Sequence, residues 1–302
     1  MKKLAELGVL FILIGILLSY KDKIVEVVNV YFSPSKAVVL GEVNKYYRDY
    51  DFKFVQNTNN FMPQSKQDIY NIYYTAINAG KSSFTFYCPK EYVNCIKDVQ
   101  ELANDQDVLS DINNYVHPYN AFSHIETTYD SIGRITIGVE RSYKSEDMVL
   151  INDKVDTLYN QLVSSSKSQY ENIKSVHDYI INHTVYDSQR SDRNIIQYKS
   201  DIAYGPLFEG YAICGGYTDL MQLFLEKMGI KNFRVSSDKH VWNAVLLNDV
   251  WYNLDLTWDD PVVVGGKNYL EHNYFMITTT KLLSIEKTEH VFNVEHYPEL
   301  NN

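Results

Sequence analysis

The sequence predicts an α+β fold, with a smaller N-terminal α+β module, a larger C-terminal region and a short apolar segment ahead of both. Three observations predict it. Stretches with a helical apolar period come before paired alternating stretches instead of interleaving with them as in an α/β fold. A serine run, "SSSKS" at 164–168, marks a boundary between two regions. The 302 residues are 45% hydrophobic and 22% charged, enough apolar material for one large core or two modest ones. The formal net charge of −10, with no run of Lys and Arg interleaved with aromatics, excludes the electrostatic footprint of nucleic-acid binding.

At the N-terminus, Lys2 and Lys3 precede Leu7–Tyr20, a run without a charge, and Lys21, Asp22 and Lys23 follow. Residues 1–23 are read as a membrane anchor or signal segment. No small-residue cleavage site follows and apolar character resumes at Ile24, which favours an uncleaved anchor. Lysines on both flanks leave the orientation undecided by charge. The bulk of the chain is expected outside the cell membrane, because short N-terminal anchors of this kind initiate export. The alternative is a helix buried on all sides.

The first module is read over residues 36–150. "PQSKQDIYNIYYTAINAG" opens with Pro63 and a capping Ser65 and closes on Gly80, bracketing a helix. "SSFTFYC" alternates like a strand. "PKEYVNCIKDVQELAND" reads as a helix with Pro89 in its first turn, and "DINNYVHPY" as a shorter one. "AFSHIETTYDSIGRITIGVERSY" reads as two strands around a turn. Cys88 and Cys95 flank the strand-to-helix turn, seven apart; they form either a disulfide, as an exported chain would allow, or two buried thiols.

The second region begins with helical stretches on either side of the serine run, and its main domain is read over 165–302. Within "EGYAICGGYTDLMQLFLEKMGI", apolar residues fall at Tyr217, Leu220, Met221, Phe224, Leu225 and Met228, and Gly229 stops the pattern. Cys214 lies at the mouth of this helix on its inward stripe, as a core residue would. The pair Gly215–Gly216 costs about 1 kcal/mol per residue against Ala in a helix interior, so something approaches the backbone closely there. At a helix N-terminus the free N–H groups and the dipole favour thiolate over thiol.

A nucleophile needs a base with an orienting partner. After a strand around Asn232–Ser236, "HVWNAVLLNDVWYNLDLTW" reads as a hairpin. With Asn248 and Asp249 as its turn, Leu247 faces Val250, Asn243 faces Leu254, and His240, Trp242, Asp255 and Thr257 share a face. Asp255 then lies diagonally from His240 at a Cβ separation of roughly 7 Å, within reach of a hydrogen bond. A three-residue turn would send the two to opposite faces. Asp255, Asp259 and Asp260 lack the oxygen-ligand alternation of a calcium loop, and no helix carries metalloprotease histidine spacing, so neither a metal nor a cofactor is expected.

These segments carry a resemblance. "YGPLFEGYAICGGYTDLMQLFLEKMGI", "KHVWNAV" and "VWYNLDLTWDDP" resemble the core of the bacterial transglutaminase-like family, over about residues 171–280. The resemblance implies a papain-like α+β fold in which Cys214 is the nucleophile, His240 its base and Asp255 the orienter. "HVWN" stands where many relatives have "HAWN", and the glycine pair replaces a single glycine; neither removes a reacting atom. The implied activity is attack on an amide carbonyl through a thioester, ending in hydrolysis or in transfer to an amine. Backbone N–H groups at the helix start, including that of Gly215, are the natural oxyanion donors. Tyr204 and Trp242 are candidates to line the substrate site, with a core role as the alternative. For an anchored, outward-facing enzyme the expected partners are peptides or proteins, cell-wall peptides among them. The competing reading is a non-catalytic surface scaffold that keeps the fold.

Overall fold

A computed structural model describes residues 19–21, 23, 38–261 and 269–301. Among these no helix is long and apolar enough to cross a membrane; apart from residues 19–21 and 23, the expected anchor at 1–23 lies outside the described residues. The elements run α1 (Lys66–Asn78), β1 (Ser83–Tyr87), α2 (Cys95–Asn104), α3 (Gln106–Asn114), β2 (Phe122–Tyr129) and β3 (Arg134–Arg141). They continue α4 (Ser145–Leu162), α5 (Gln169–Asn182), β4 (Val185–Tyr186), α6 (Ser188–Arg193), β5 (Tyr211–Ala212), α7 (Cys214–Lys227), β6 (Asn232–Ser236), β7 (Val241–Leu247), β8 (Val250–Leu254) and α8 (Thr279–Ile285). This is the mixed α+β architecture that the order of patterns predicts.

In the first region, Ser65 caps α1 by accepting from the Asp68 amide, and Gly80, at φ +70°, turns the chain beyond its end. β1, β3 and β2 form an antiparallel sheet in that order. The helix expected from Pro89 starts only at Cys95. Cys88 and Cys95 are disulfide-bonded, which draws the start of α2 back to the end of β1, so residues 89–94 turn instead of coiling. The chain then breaks at Asp105, whose carboxylate caps α3 through the Val108 amide, so the shorter helix starts at Gln106, ahead of the "DINNYVHPY" stretch, and ends within it at Asn114. Closing so short a loop still removes unfolded-state entropy worth about 2–3 kcal/mol. A Cys88→Ser, Cys95→Ser double variant should therefore show a lower urea midpoint with an unchanged slope, and mass spectrometry of the wild type should find these two sulfurs unlabelled before reduction.

The second sheet, in the order β6-β7-β8, is antiparallel and divides two apolar clusters. Phe233, Val235, Trp242 and Ala244 face one way, into a core shared with Phe52, Phe54, Tyr115 and Phe86 of the first region and Tyr297 and Leu300 near the C-terminus. Val245, Leu247 and Leu254 face the other, with α4, α5 and α7 contributing Ile151, Val176, Leu220 and Phe224. The alternation follows from strand geometry. It leaves both faces apolar, which holds the sheet rigidly between the layers.

The β7–β8 turn has Asn248 at φ 52° and Asp249 at φ 61°, two left-handed residues that match the twist of a two-residue hairpin. The expected register follows: Leu247 pairs with Val250, Val245 with Tyr252 and Asn243 with Leu254. His240 and Asp255 thus lie one residue beyond the paired ends of neighbouring strands, at one end of the sheet.

Candidate active site

Cys214 is the first residue of α7, half-buried and outside the disulfide. The helix enters from an extended Ile213, whose amide is held by the Ser200 carbonyl at 2.8 Å. This contact explains the glycines and identifies what approaches the backbone closely there. A Cβ on Gly215 would stand 2.7 Å from the Asp201 carbonyl oxygen, and one on Gly216 only 2.4 Å from that of Ser200. The glycines admit the 200–202 backbone, which passes directly beneath the first turn. Further along α7, Asp219 accepts from the Tyr143 hydroxyl at 2.7 Å and pairs with Arg234 of β6 at 3.2 Å, tying the helix to the sheet. The Tyr143 hydroxyl in turn accepts from the Ala203 amide, so the same network fixes the loop under Cys214.

His240 and Asp255 meet at the end of the sheet, with Nε2 2.5 Å from Oδ2. The Cys214 side chain stands close enough to the imidazole to favour its protonated form. Burial pulls the His240 pKa down. The Asp255 charge and hydrogen bond, with a smaller contribution from Cys214, outweigh it and push the value up to about 10. Burial raises the Asp255 pKa, but the charge and hydrogen bond of His240 and a bond from His290 hold it far below the usual carboxylate range. Asp255 Oδ1 accepts from the amides of Thr257 (2.9 Å) and Trp258 (3.2 Å), which fixes the carboxylate plane.

Trp242 belongs to the face opposite α7. It is 1% exposed, donates from Nε1 to Asn253 at 2.9 Å, and stacks behind His240 with ring centres 5.6 Å apart. The structure thus places it as backing for the histidine ring and not on a substrate wall. The residues of β7 that face α7 are Asn243, which donates to the Thr218 carbonyl, and Val245. The hairpin therefore reaches Cys214 around the sheet end rather than through the shared face expected for His240 and Trp242. Tyr204 lies under the Lys199 ammonium, 4.2 Å from its ring centre, and against Phe208.

Residues that sequence reasoning missed complete the surroundings. His290 puts Nε2 2.8 Å from Asp255 Oδ2 and Nδ1 2.8 Å from Glu286 Oε2. Trp258, half-buried, presents its ring edge to His240 and to His290. Tyr186 is close enough to Cys214 and Glu289 to feel their charge. Glu286 and His290 have helical i,i+4 spacing in "EKTEH", a readable pair with nothing in the sequence to tie it to Asp255.

The three aspartates do not converge as cation ligands. Asp259 Oδ2 is 3.2 Å from His177 Nε2 and its Oδ1 accepts from the Tyr274 amide. Asp260 accepts from the Tyr217 hydroxyl at 2.5 Å. His177, Asp178 and His272 bring ligand-type atoms together, but the Lys174 ammonium lies 2.8 Å from Asp178 and 2.7 Å from His272, where a cation would stand. At His240, Asp255 and His290 the atoms that would ligate an ion are engaged with one another.

Burial pushes the Asp260 pKa up to about 6, against the Tyr217 hydrogen bond and the charge of His177. Between about pH 4 and 6 the folded state binds the proton more readily than the unfolded chain, so stability from this group falls as pH rises. Asp260→Asn, which removes the ionisation, should raise the thermal midpoint at pH 7.5, and the gain should shrink toward pH 4.

A cysteine on a helix N-terminus stands near a histidine–carboxylate pair at a sheet end. Residues 156–256, about a third of the chain, match the model of the transglutaminase-like superfamily, which marks this segment as transglutaminase-like. The match covers Cys214, His240 and Asp255. The kyphoscoliosis peptidase of Mus musculus is 24% identical over 184 residues, 54% of this chain and 26% of its own length. That of Homo sapiens is 25% identical over 169 residues, 49% of this chain and 24% of its own. The chain thus spans about a quarter of the length of these curated relatives. A solved crystal structure of a TGase is 14% identical, with a TM-score of 0.35 over 51% of this chain and 48% of that one.

Proposed function

We propose that the protein is a thiol enzyme that acts on amide bonds of peptides or proteins through a Cys214 thioester. The observation that carries this reading is His240 held by Asp255 at 2.5 Å, with Cys214, at the start of α7, close enough to favour the protonated ring. His240 takes the thiol proton and the sulfur attacks the amide carbonyl. The tetrahedral oxyanion is held by amides of the first turn of α7, where N–H groups lack intrahelical partners. His240 then protonates the leaving amine, and water or a second amine opens the thioester. The peptidase name of the relatives supports the hydrolytic outcome.

The domain carrying this chemistry is assigned to 165–302, with 36–150 as an accessory module and 1–23 as a membrane anchor. The Cys88–Cys95 disulfide supports an oxidising, extracellular setting, and with it cell-wall peptides or surface proteins as substrates. Tyr204, beside the Ser200–Gly205 loop, and the Gly215 amide are assigned to the substrate side. The test uses the full chain with wall peptides and a labelled amine. New free carboxylates by mass mean hydrolysis, and label in the product means transfer. If Cys214 alkylates no faster than in a His240→Ala variant, and no product forms, the protein is a scaffold.

A further inference from the structure

We infer that His290, held by Glu286, is a positioning residue that divides the Asp255 carboxylate with His240 and so limits how firmly Asp255 fixes the proton on the catalytic imidazole. The inference rests on the thiol-enzyme reading of the site.

The argument starts from the lone pairs of one carboxylate. Asp255 offers about four acceptor positions. Two on Oδ1 are taken by the Thr257 and Trp258 amides, and two on Oδ2 by His240 and His290. The group is saturated, and the two imidazoles draw on the same oxygen. His290 is fully buried, with one ring nitrogen on Asp255 and the other on Glu286. Glu286 has an ionised carboxylate: burial raises its pKa, but bonds from the Thr288 side chain, His290 and the amides of Thr288 and Glu289 bring it down to about 2. The His290 ring thus stands between two carboxylates, one at each nitrogen, and shares Asp255 Oδ2 with His240.

The site is therefore a chain of alternating groups: the Cys214 sulfur, His240, Asp255, His290 and Glu286. A second imidazole on Oδ2 divides that oxygen and so weakens the pull of Asp255 on His240. Tyr274 stacks on His290 at 5.4 Å, and Trp242 and Trp258 meet it edge-on, so solvent does not screen the pair. Tyr186, which feels the charges of Cys214, Asp192 and Glu289, is a further titratable group near Cys214. A base held too tightly protonated cannot return to the neutral form that accepts the thiol proton, and His290 counteracts that.

The test follows the ring titration of His240 by histidine-selective NMR on the full chain, assigned by its loss in His240→Asn. His290→Phe keeps the packing but removes the imidazole from Oδ2, and should raise the His240 midpoint by about one pH unit. His290→Gln restores a neutral donor to Asp255 and should give a smaller rise. Cys214, the one thiol outside the disulfide, supplies the readout that separates this inference from the enzyme reading. A wild type that alkylates no faster than His240→Ala overturns both. Fast alkylation in the wild type with an unmoved His240 midpoint in folded His290→Phe overturns the inference alone, as a merely structural histidine would not move that midpoint. Should neither His290 variant fold, the wild type decides: a proton on His290 Nε2 bonded to Asp255 sustains the inference, and a His290 Nε2 without a proton overturns it.

Discussion

Asp255→Asn should lower turnover by about 10³–10⁴-fold while leaving the surrounding sheet in place. The carboxylate receives four donors, two amides on Oδ1 and two imidazoles on Oδ2. An asparagine has one accepting oxygen, so in either orientation its NH₂ group confronts two N–H donors. If the oxygen stays with Thr257 and Trp258, His240 must accept at Nε2 and carry its proton on Nδ1, the nitrogen that should receive the thiol proton. The wrong tautomer, not a lost contact, disables the base. Stability changes in a pH-dependent way. The His240 pKa is about 10 when folded against about 6.5 unfolded, so its contribution is complete below about pH 6.5 and is lost as pH rises through 10. The Asp255 pKa is depressed, so its contribution is present above about pH 4 and is lost as pH falls. The gap in thermal midpoint between wild type and Asp255→Asn should therefore be widest between about pH 4 and 6.5. Thermal melts across pH 3–10, beside steady-state turnover, check both parts; a gap constant with pH would show that the pair does not titrate as described.

Gly216→Ala should destabilise the fold by about 3 kcal/mol or more, although alanine is the better helix former by about 1 kcal/mol. The added Cβ would stand 2.4 Å from the Ser200 carbonyl oxygen, 3.2 Å from the Ala212 Cβ and 3.3 Å from the Ile202 carbonyl oxygen. Backbone on this scale does not yield as a flexible side chain does. The displaced Ser200 carbonyl also holds the Ile213 amide, so Cys214 moves with it. Gly229→Ala is the comparison: its Cβ meets open space and only the φ of +70° is unfavourable, for a cost of about 1 kcal/mol. Urea unfolding of the two variants should separate them by about 2 kcal/mol, and equal midpoints would remove the close approach as the reason for the glycine.

The local features of the site were legible because local rules control them. The apolar stripe from Tyr217 to Met228 with Gly229 beyond it gave α7, and Asn248–Asp249 gave the hairpin register that brings His240 near Asp255. What depends on segments distant in sequence was not. Alternation assigns Trp242 to a face but does not say which layer covers it, and the covering layer came from Phe52 and its neighbours in the first region. Likewise a glycine pair announces a close approach without naming the chain that approaches. The intruder is the 200–202 backbone. His290 was invisible for a related reason: a histidine four residues after a glutamate is a common surface pattern, and only tertiary structure sets it on Asp255.

The position of His290 in the chain has a consequence for the order of synthesis. Cys214, His240 and Asp255 all leave the ribosome before the 286–300 segment, in which Tyr297 and Leu300 dock into the first core and His290 reaches Asp255. The core under β6 and β7 and the set of donors on Asp255 are both completed only when this last-made segment docks.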